Sequence, residues 1–387
     1  MNRIPSWVWA LLPLALLAAL SVMVARGGLL EFMRAGVPPV EELTFERVTL
    51  RPGRLRAQIV NGGPDPVTIA QVMVDEAFWR FTVTPAATVG RLGRATVEIP
   101  YPWVENEVHR VTILTSTGLT FEHEIAVARE TPPLDSQFFG VFGLIGLYVG
   151  VIPVGLGLLW YPALRRLDRR WMHFLLALTG GLLLFLGADA VHEALESANG
   201  VAGAFQGPLI VLVGAVGTLF FLQSVSASRT ARGDAAGRRT VAWLVALGIG
   251  LHNLGEGLAI GAAYVMGEAA LGAFLVIGFM LHNSTEGLAI VAPIARDRPR
   301  VAMLAGMGAL AGVPTIFGAW IGGAAFSPAL ATLFLSVGAG AIAQVIISLY
   351  RVVARDPTEA PVWTPLTAGG LVAGMLVMYG TGLLVAS

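Results

Sequence analysis

From Phe138 to the C-terminus the chain is a succession of apolar runs, near residues 138–160, 172–194, 205–226, 241–265, 269–294, 301–323, 329–351 and 364–386. Each is close to the roughly 20 residues with which an α-helix crosses the hydrocarbon of a bilayer. Composition agrees, since 13% of the residues are charged and 55% hydrophobic, against about 25% charged in a soluble domain. The lipid bilayer is therefore the first partner, and the 47 glycines suit close packing of helices within it. A formal net charge of zero offers no basic face for phosphates, so no nucleic-acid partner is expected. The chain has no cysteine, which excludes disulfides and thiolate metal sites.

The connections alternate in charge. The segments 165–170 (RRLDRR), 228–239 (SRTARGDAAGRR), 296–300 (RDRPR) and 351–356 (RVVARD) hold arginines, while those around 195–206, 266–268 and 324–328 hold none. Basic residues stay on the cytoplasmic side, so the arginine-bearing loops are expected inside. The stretch between a first membrane segment and Phe138, and the C-terminus, are then expected outside, in agreement with a first segment whose N-terminus is inside.

Ahead of the spans, WVWALLPLALLAALSVMVA at about residues 7–25 follows a short basic start. Its length favours a membrane anchor over a cleaved signal peptide, although Ala25 offers a cleavage point. Residues 40–130 differ in kind. RLRAQIVNGG, PVTIAQVMV, RATVEIPYPW, HRVTILTSTG and LTFEHEIAVA alternate apolar and polar residues between Gly, Pro and Asn punctuation, with NGGPDP at 61–66 as a turn. About seven short antiparallel strands in a small β-sandwich are expected. His109 and His123 fall on these strands as surface residues. The expected fold is a multi-pass α-helical membrane protein: an N-terminal transmembrane anchor (1–35), a small all-β extracytoplasmic sandwich (36–132) and an eight-helix unit (133–387).

Chemistry concentrates in a repeat. LHNLGEGLAI at 251–260 returns as LHNSTEGLAI at 281–290, with eight of ten positions identical. Residues four apart share a helix face, so His252 projects with Glu256 and His282 with Glu286, near the middle of two neighbouring antiparallel spans. A carboxylate at mid-bilayer costs at least about 2.5–3.5 kcal/mol, and no Arg lies in either span to offset it. A dication shared by two imidazoles and two carboxylates satisfies all four groups. Asn253 and Asn283 can add amide oxygens or orient the ligands. Gly255, Gly257 and Gly287 clear bulk from the helix face and allow bending. Towards the outer end of the second span, Asp189, His192, Glu193 and Glu196 form a further polar cluster. Asp189 is a ligand or gate there, and His192 and Glu193 line the way in.

Two HN..EG motifs on adjacent spans of an eight-helix unit resemble the ZIP (Zrt-, Irt-like) family of divalent metal transporters, over roughly residues 138–387. The family's fourth helix carries HN.PEG, matched by His252, Asn253, Glu256 and Gly257. Many prokaryotic members repeat it on the fifth, matched by His282, Asn283, Glu286 and Gly287. The resemblance implies a mononuclear or binuclear transport site between those helices, movement of metal toward the cytoplasm, and an elevator-like motion of a four-helix bundle. The motif proline is replaced by Gly255 and Thr285. Thr315, Gln344 and Ser348 stand where acidic residues are common in the family. These departures point to one strong site.

The expected function is thus a carrier in the cell (inner) membrane, not an enzyme. Its cargo is a divalent metal, Zn2+ first, with Fe2+, Mn2+ or Co2+ also suited to histidine and carboxylate donors. No organic cofactor is expected. A non-transporting metal sensor and an intramembrane metal-dependent hydrolase are the alternatives. A homodimer and an extracytoplasmic partner for the sandwich remain open.

Overall fold

The computed structural model describes residues 6–26, 39–227, 235–265, 269–354 and 363–386. The chain divides into two compact units, Met1–Val40 and Glu41–Ser387. The first contains helix α1 (Ser6–Arg26), apolar throughout, with Pro13 inside it and the Ser21 hydroxyl donating to the Leu17 carbonyl at 2.8 Å.

The second unit opens with nine short strands: β1 (Leu43–Arg51), β2 (Arg54–Asn61), β3 (Val67–Val74), β4 (Ala77–Trp79), β5 (Thr82–Thr84), β6 (Thr88–Val89), β7 (Arg94–Ile99), β8 (His109–Thr115) and β9 (Thr120–Ile125). One antiparallel sheet runs β1-β2-β7-β5 and the other β4-β3-β8-β9, with β6 against β3. Alternation sets their faces. In β2, Leu55, Ala57 and Ile59 are buried while Arg54, Arg56 and Gln58 point outward, and the inward residues meet Val72, Val74, Val111 and Ile113 of the other sheet in one core. There are nine strands rather than about seven because β4, β5 and β6 have only two or three residues, too few for a period-2 pattern to register. NGGPDP is a turn: Asn61 is buried, accepts from Gly63 N–H, and donates to the Asp65 and Val89 carbonyls.

The two strand histidines are not surface residues. His109 is buried, its Nδ1 2.7 Å from Asp75, which also accepts from Tyr101 at 2.6 Å. Burial and that hydrogen bond push the Tyr101 phenol up to about 12. His123 stacks on Phe45 with ring centroids 5.2 Å apart, and burial holds its imidazole below the usual histidine range. Alternation alone cannot reveal a neighbouring loop or aromatic that covers an outward residue.

Helices follow. α2 (Ser136–Gly146) passes through a π-turn, Leu147–Val151, into α3 (Ile152–Leu158) and the short α4 (Tyr161–Leu164). Then come α5 (Arg169–Asn199), α6 (Gly207–Ala227), α7 (Ala235–Val265), α8 (Ala269–Val291), α9 (Val301–Ala325), α10 (Pro328–Ala354) and α11 (Pro365–Ala386). Among the described residues, seven helical segments are long and apolar enough to cross a membrane, and α11 holds a shorter apolar run. The architecture is compatible with a multi-pass membrane protein that carries a small β domain.

Glycines reveal how the helices group. Gly318 and Gly322 lie against the backbone of Leu254 and Leu258, bringing α9 onto α7; Gly146 meets Ile316, bringing α2 onto α9; Gly157 meets Gly287, bringing α3 onto α8. Elsewhere Gly374 meets Leu178, Gly187 meets Ile342 and Gly340 meets Ala215, which gathers α5, α6, α10 and α11. Between these two groups the close seam is α7 on α10, where Gly338 lies 3.0 Å from the His252 Cα for an added Cβ. Gly318→Ala places its Cβ 2.8 Å from Leu258 N and 3.0 Å from Gly257 Cα, both unyielding backbone atoms. It should cost about 1–3 kcal/mol or more, read as a lowered melting temperature in detergent. Gly217, with open space around it, should accept Ala without loss.

The β unit is tied to both helix groups. Arg47 on β1 donates to the carbonyls of Ala324 (2.5 Å) and Gly323 (3.1 Å) in the last turn of α9. On the other side, Glu42 accepts from Gly203 N–H at 2.6 Å, in the α5–α6 connection. Between the ties lies a cavity of about 330 Å³ lined by His123, Glu124, Arg129, Glu196 and Phe326 among others.

Candidate metal centre

Three donors converge at the centre of the first helix group. Glu256 Oε1 is 3.1 Å from His252 Nε2 and in still closer contact with His282 Nε2. His252, Glu256 and His282 can each offer one ligand atom such that all three lie within 4.8 Å of one another. Ligands about 2.0–2.2 Å from a tetrahedral dication stand roughly 3.3 Å apart, so the cluster needs only a slight opening to hold one. The protein itself encloses it: Glu256 is 1% exposed, His252 3% and His282 8%.

Regular helix explains the placement. α7 and α8 run without interruption through both motifs, and the four-residue spacing aims each pair inward. Gly255, Gly257 and Gly287 thus do not interrupt these helices. Gly257 lies against the Thr315 and Ala319 backbone, Gly287 against Gly157, and Gly255 against the Leu335 side chain. They let neighbouring helices approach.

Glu286 reaches the same interior but stands outside the three-donor set. It is 4% exposed, holds no ion pair, and has the Asn253 amide as a polar neighbour without a well-formed hydrogen bond. An unpaired buried carboxylate is costly, and in the state that binds metal, with both carboxylates ionised and both imidazoles deprotonated, the cluster carries two formal negative charges. A dication balances that count. His252 Nδ1 and the amide oxygens of Asn253 and Asn283 are likewise buried without partners.

The two asparagines hold the arrangement in place. Asn253 Nδ2 donates to the Ala311 carbonyl of α9 at 3.1 Å. Asn283 Nδ2 donates to Glu256 Oε2 at 3.1 Å and to the Val149 carbonyl at 3.0 Å. That second acceptor exists for a covalent reason. Residue 153 is proline and lacks the N–H that an α-helical bond to the Val149 carbonyl needs, which frees that carbonyl from an i+4 partner. Sequence reasoning missed Val149; Pro153 inside an apolar span was its signal. Asn283→Ala should lower metal affinity about 10–100-fold, the usual cost of losing an orienting partner, measured by competition against a chelator with known affinity.

The acidic residues of α5 fall into two sets. Glu193 is half-buried and lies within electrostatic reach of His252, Glu256 and His282 as well as Asp189. Asp189 is exposed, within reach of His282. His192 and Glu196 are exposed, Glu196 on the cavity beneath the β unit. Thr315 is buried against Gly150, and Gln344 bonds Ser348 at 2.9 Å within α10. Neither helix adds an acidic donor there. No family model and no curated protein matches this chain, so the functional case rests on the geometry itself.

Proposed function

We propose that this protein is a ZIP-like carrier that moves a divalent metal cation, Zn2+ first, across the membrane toward its arginine-bearing face. The observation that supports it most directly is the buried convergence of His252, His282 and Glu256, with Glu286 unpaired beside them. Such a cluster in apolar surroundings marks an ion pathway before it marks a structural feature.

The helix grouping supports transport over static binding. All four side chains belong to α7 and α8, which pack with α2, α3 and α9. Asp189 and Glu193 belong to α5, in the other group. A cation held by the first group can therefore travel with it as a body past α5, so that one site faces each side in turn. On this reading Asp189, His192 and Glu193 form the outer approach. The β unit and the C-terminus lie on the outer face, and the arginine-bearing loops lie in the cytoplasm. Binding displaces protons from the imidazoles, so uptake should fall as the outer pH falls.

The test is uptake into proteoliposomes across a panel of divalent ions, with elemental analysis of the purified protein beside it. Saturable uptake, lost in the double variant His252→Ala/Glu286→Ala, is the expected result. Equal uptake by wild type and variant sinks the assignment. Metal binding without flux turns the reading to a sensor.

A further inference from the structure

Outward-facing residues of β1 and β2 form a groove of about 580 Å³ that includes Arg47, Arg51, Arg54, Arg56, Leu134 and Ala324. Its charge is unbalanced. Arg54 and Arg56 share the single carboxylate of Glu98 at 3.4 and 3.7 Å, and Arg51 reaches Glu130 at 3.7 Å. Arg47 is engaged with the carbonyls of α9. Three exposed guanidiniums thus face two exposed carboxylates, and such pairs at these distances are weak.

The depth of the groove comes from α9. Its 25 residues span about 37 Å at 1.5 Å each, whereas the hydrocarbon core is about 30 Å thick. With α9 centred in the bilayer, Ala324, in the last turn, reaches the headgroup layer. One turn below it on the same face is Trp320, which donates to the Phe139 carbonyl at 2.9 Å and meets Phe139 and Phe317 edge to face at 5.8 and 5.5 Å. Phe139 and Phe317 are 44% and 50% exposed. An indole such as Trp320 marks the level where acyl chains give way to headgroups, and the exposed phenylalanines beside it offer acyl chains an apolar surface. An apolar, aromatic wall thus lies directly under an arginine groove. Guanidinium forks match phosphate oxygens two at a time.

We propose that this groove binds the headgroup phosphate of an anionic phospholipid, whose acyl chains lie along Phe317 and Phe139. The lipid seats the β unit on the membrane surface. The inference rests on the membrane reading of the helices and not on transport.

Native mass spectrometry of the full chain, released from detergent with added phosphatidylglycerol or phosphatidylcholine, tests it. Wild type should retain phosphatidylglycerol about tenfold or more over Arg51→Gln/Arg54→Gln/Arg56→Gln, on the scale of one interaction per basic residue, and phosphatidylcholine equally in both. Glu98→Gln, which frees two arginines, should raise retention. Inorganic phosphate at millimolar levels should not displace the lipid. Equal retention by the triple variant overturns the proposal, and so does full displacement by phosphate, which would make this a free-anion site. Because the readout is a bound lipid, failure here leaves the transport assay unaffected.

Discussion

Glu256→Gln should lower divalent-metal affinity by more than about 100-fold, beyond the 10–100-fold that follows loss of an outer-shell partner. The reason is geometric. One oxygen, Glu256 Oε1, faces both His252 Nε2 and His282 Nε2, while the other accepts from Asn283. An amide at this position has one oxygen, no charge and two donors. It can neither neutralise half of the dication nor accept from three directions. Without metal, the same change leaves at least one buried donor unsatisfied, costing about 1–3 kcal/mol, so the apo protein should also melt lower. Isothermal titration with Zn2+ and a melting curve separate the two effects. Undiminished affinity in Glu256→Gln, with the protein folded, would remove the centre as a metal site. Glu286→Gln should behave differently: its carboxylate holds no ion pair and faces the Asn253 amide alone without a well-formed bond, so the apo protein should lose less stability than Glu256→Gln does, while metal binding still weakens.

The second large effect concerns the β unit. Arg47→Met keeps the aliphatic stem and removes both hydrogen bonds to the Ala324 and Gly323 carbonyls. Hydrogen bonds to charged groups contribute about 1.5–3 kcal/mol each, and these also cap the negative end of a helix dipole. Partial exposure of Arg47 places the loss near the lower end, about 2–3 kcal/mol in all. Burial already pushes the guanidinium down from its usual range, so its carbonyl partners are what hold it there. Combined with Glu42→Ala, which removes the oxygen that accepts from Gly203 N–H, the change should free the β unit from both helix groups. Absence of native cysteine makes the measurement direct. Spin labels at Glu122→Cys and Leu330→Cys should give one narrow distance distribution in the parent and a broad one in the double variant. An unchanged distribution would show that other contacts hold the unit. If the groups move during transport as proposed, one of these ties must also break, and the variant's uptake rate should change.

Much of this was legible before any coordinates. The helices fall close to the expected spans, because charged and turn-forming residues gather between the apolar runs and mark their limits. The HN..EG repeat was conspicuous for the converse reason: ionisable groups are rare where they cost most. Several decisive features were not legible. β1, which carries Arg47, follows the alternation too loosely to stand out, and its partner carbonyls are 277 residues away in the chain. The burial of His109 depends on Asp75 and Tyr101 from the connections after β3 and β7. Pro153 was visible as a residue, yet its effect is to free a carbonyl that matters only because Asn283 lies opposite.

Local periodicity and composition alone determined that the chain holds helices long and apolar enough to cross a membrane, that a small β domain precedes them, and which imidazoles and carboxylates share a helix face. Those are properties of residues within a few positions of one another, and covalent spacing sets them. Only the tertiary structure decided that His252, His282 and Glu256 meet at one oxygen while Glu286 stands apart, and that the site lies wholly within one of two helix groups. Glycine-to-backbone contacts between distant helices bring this about, and hydrophobic patterning on each helix is blind to which neighbour its glycines will meet.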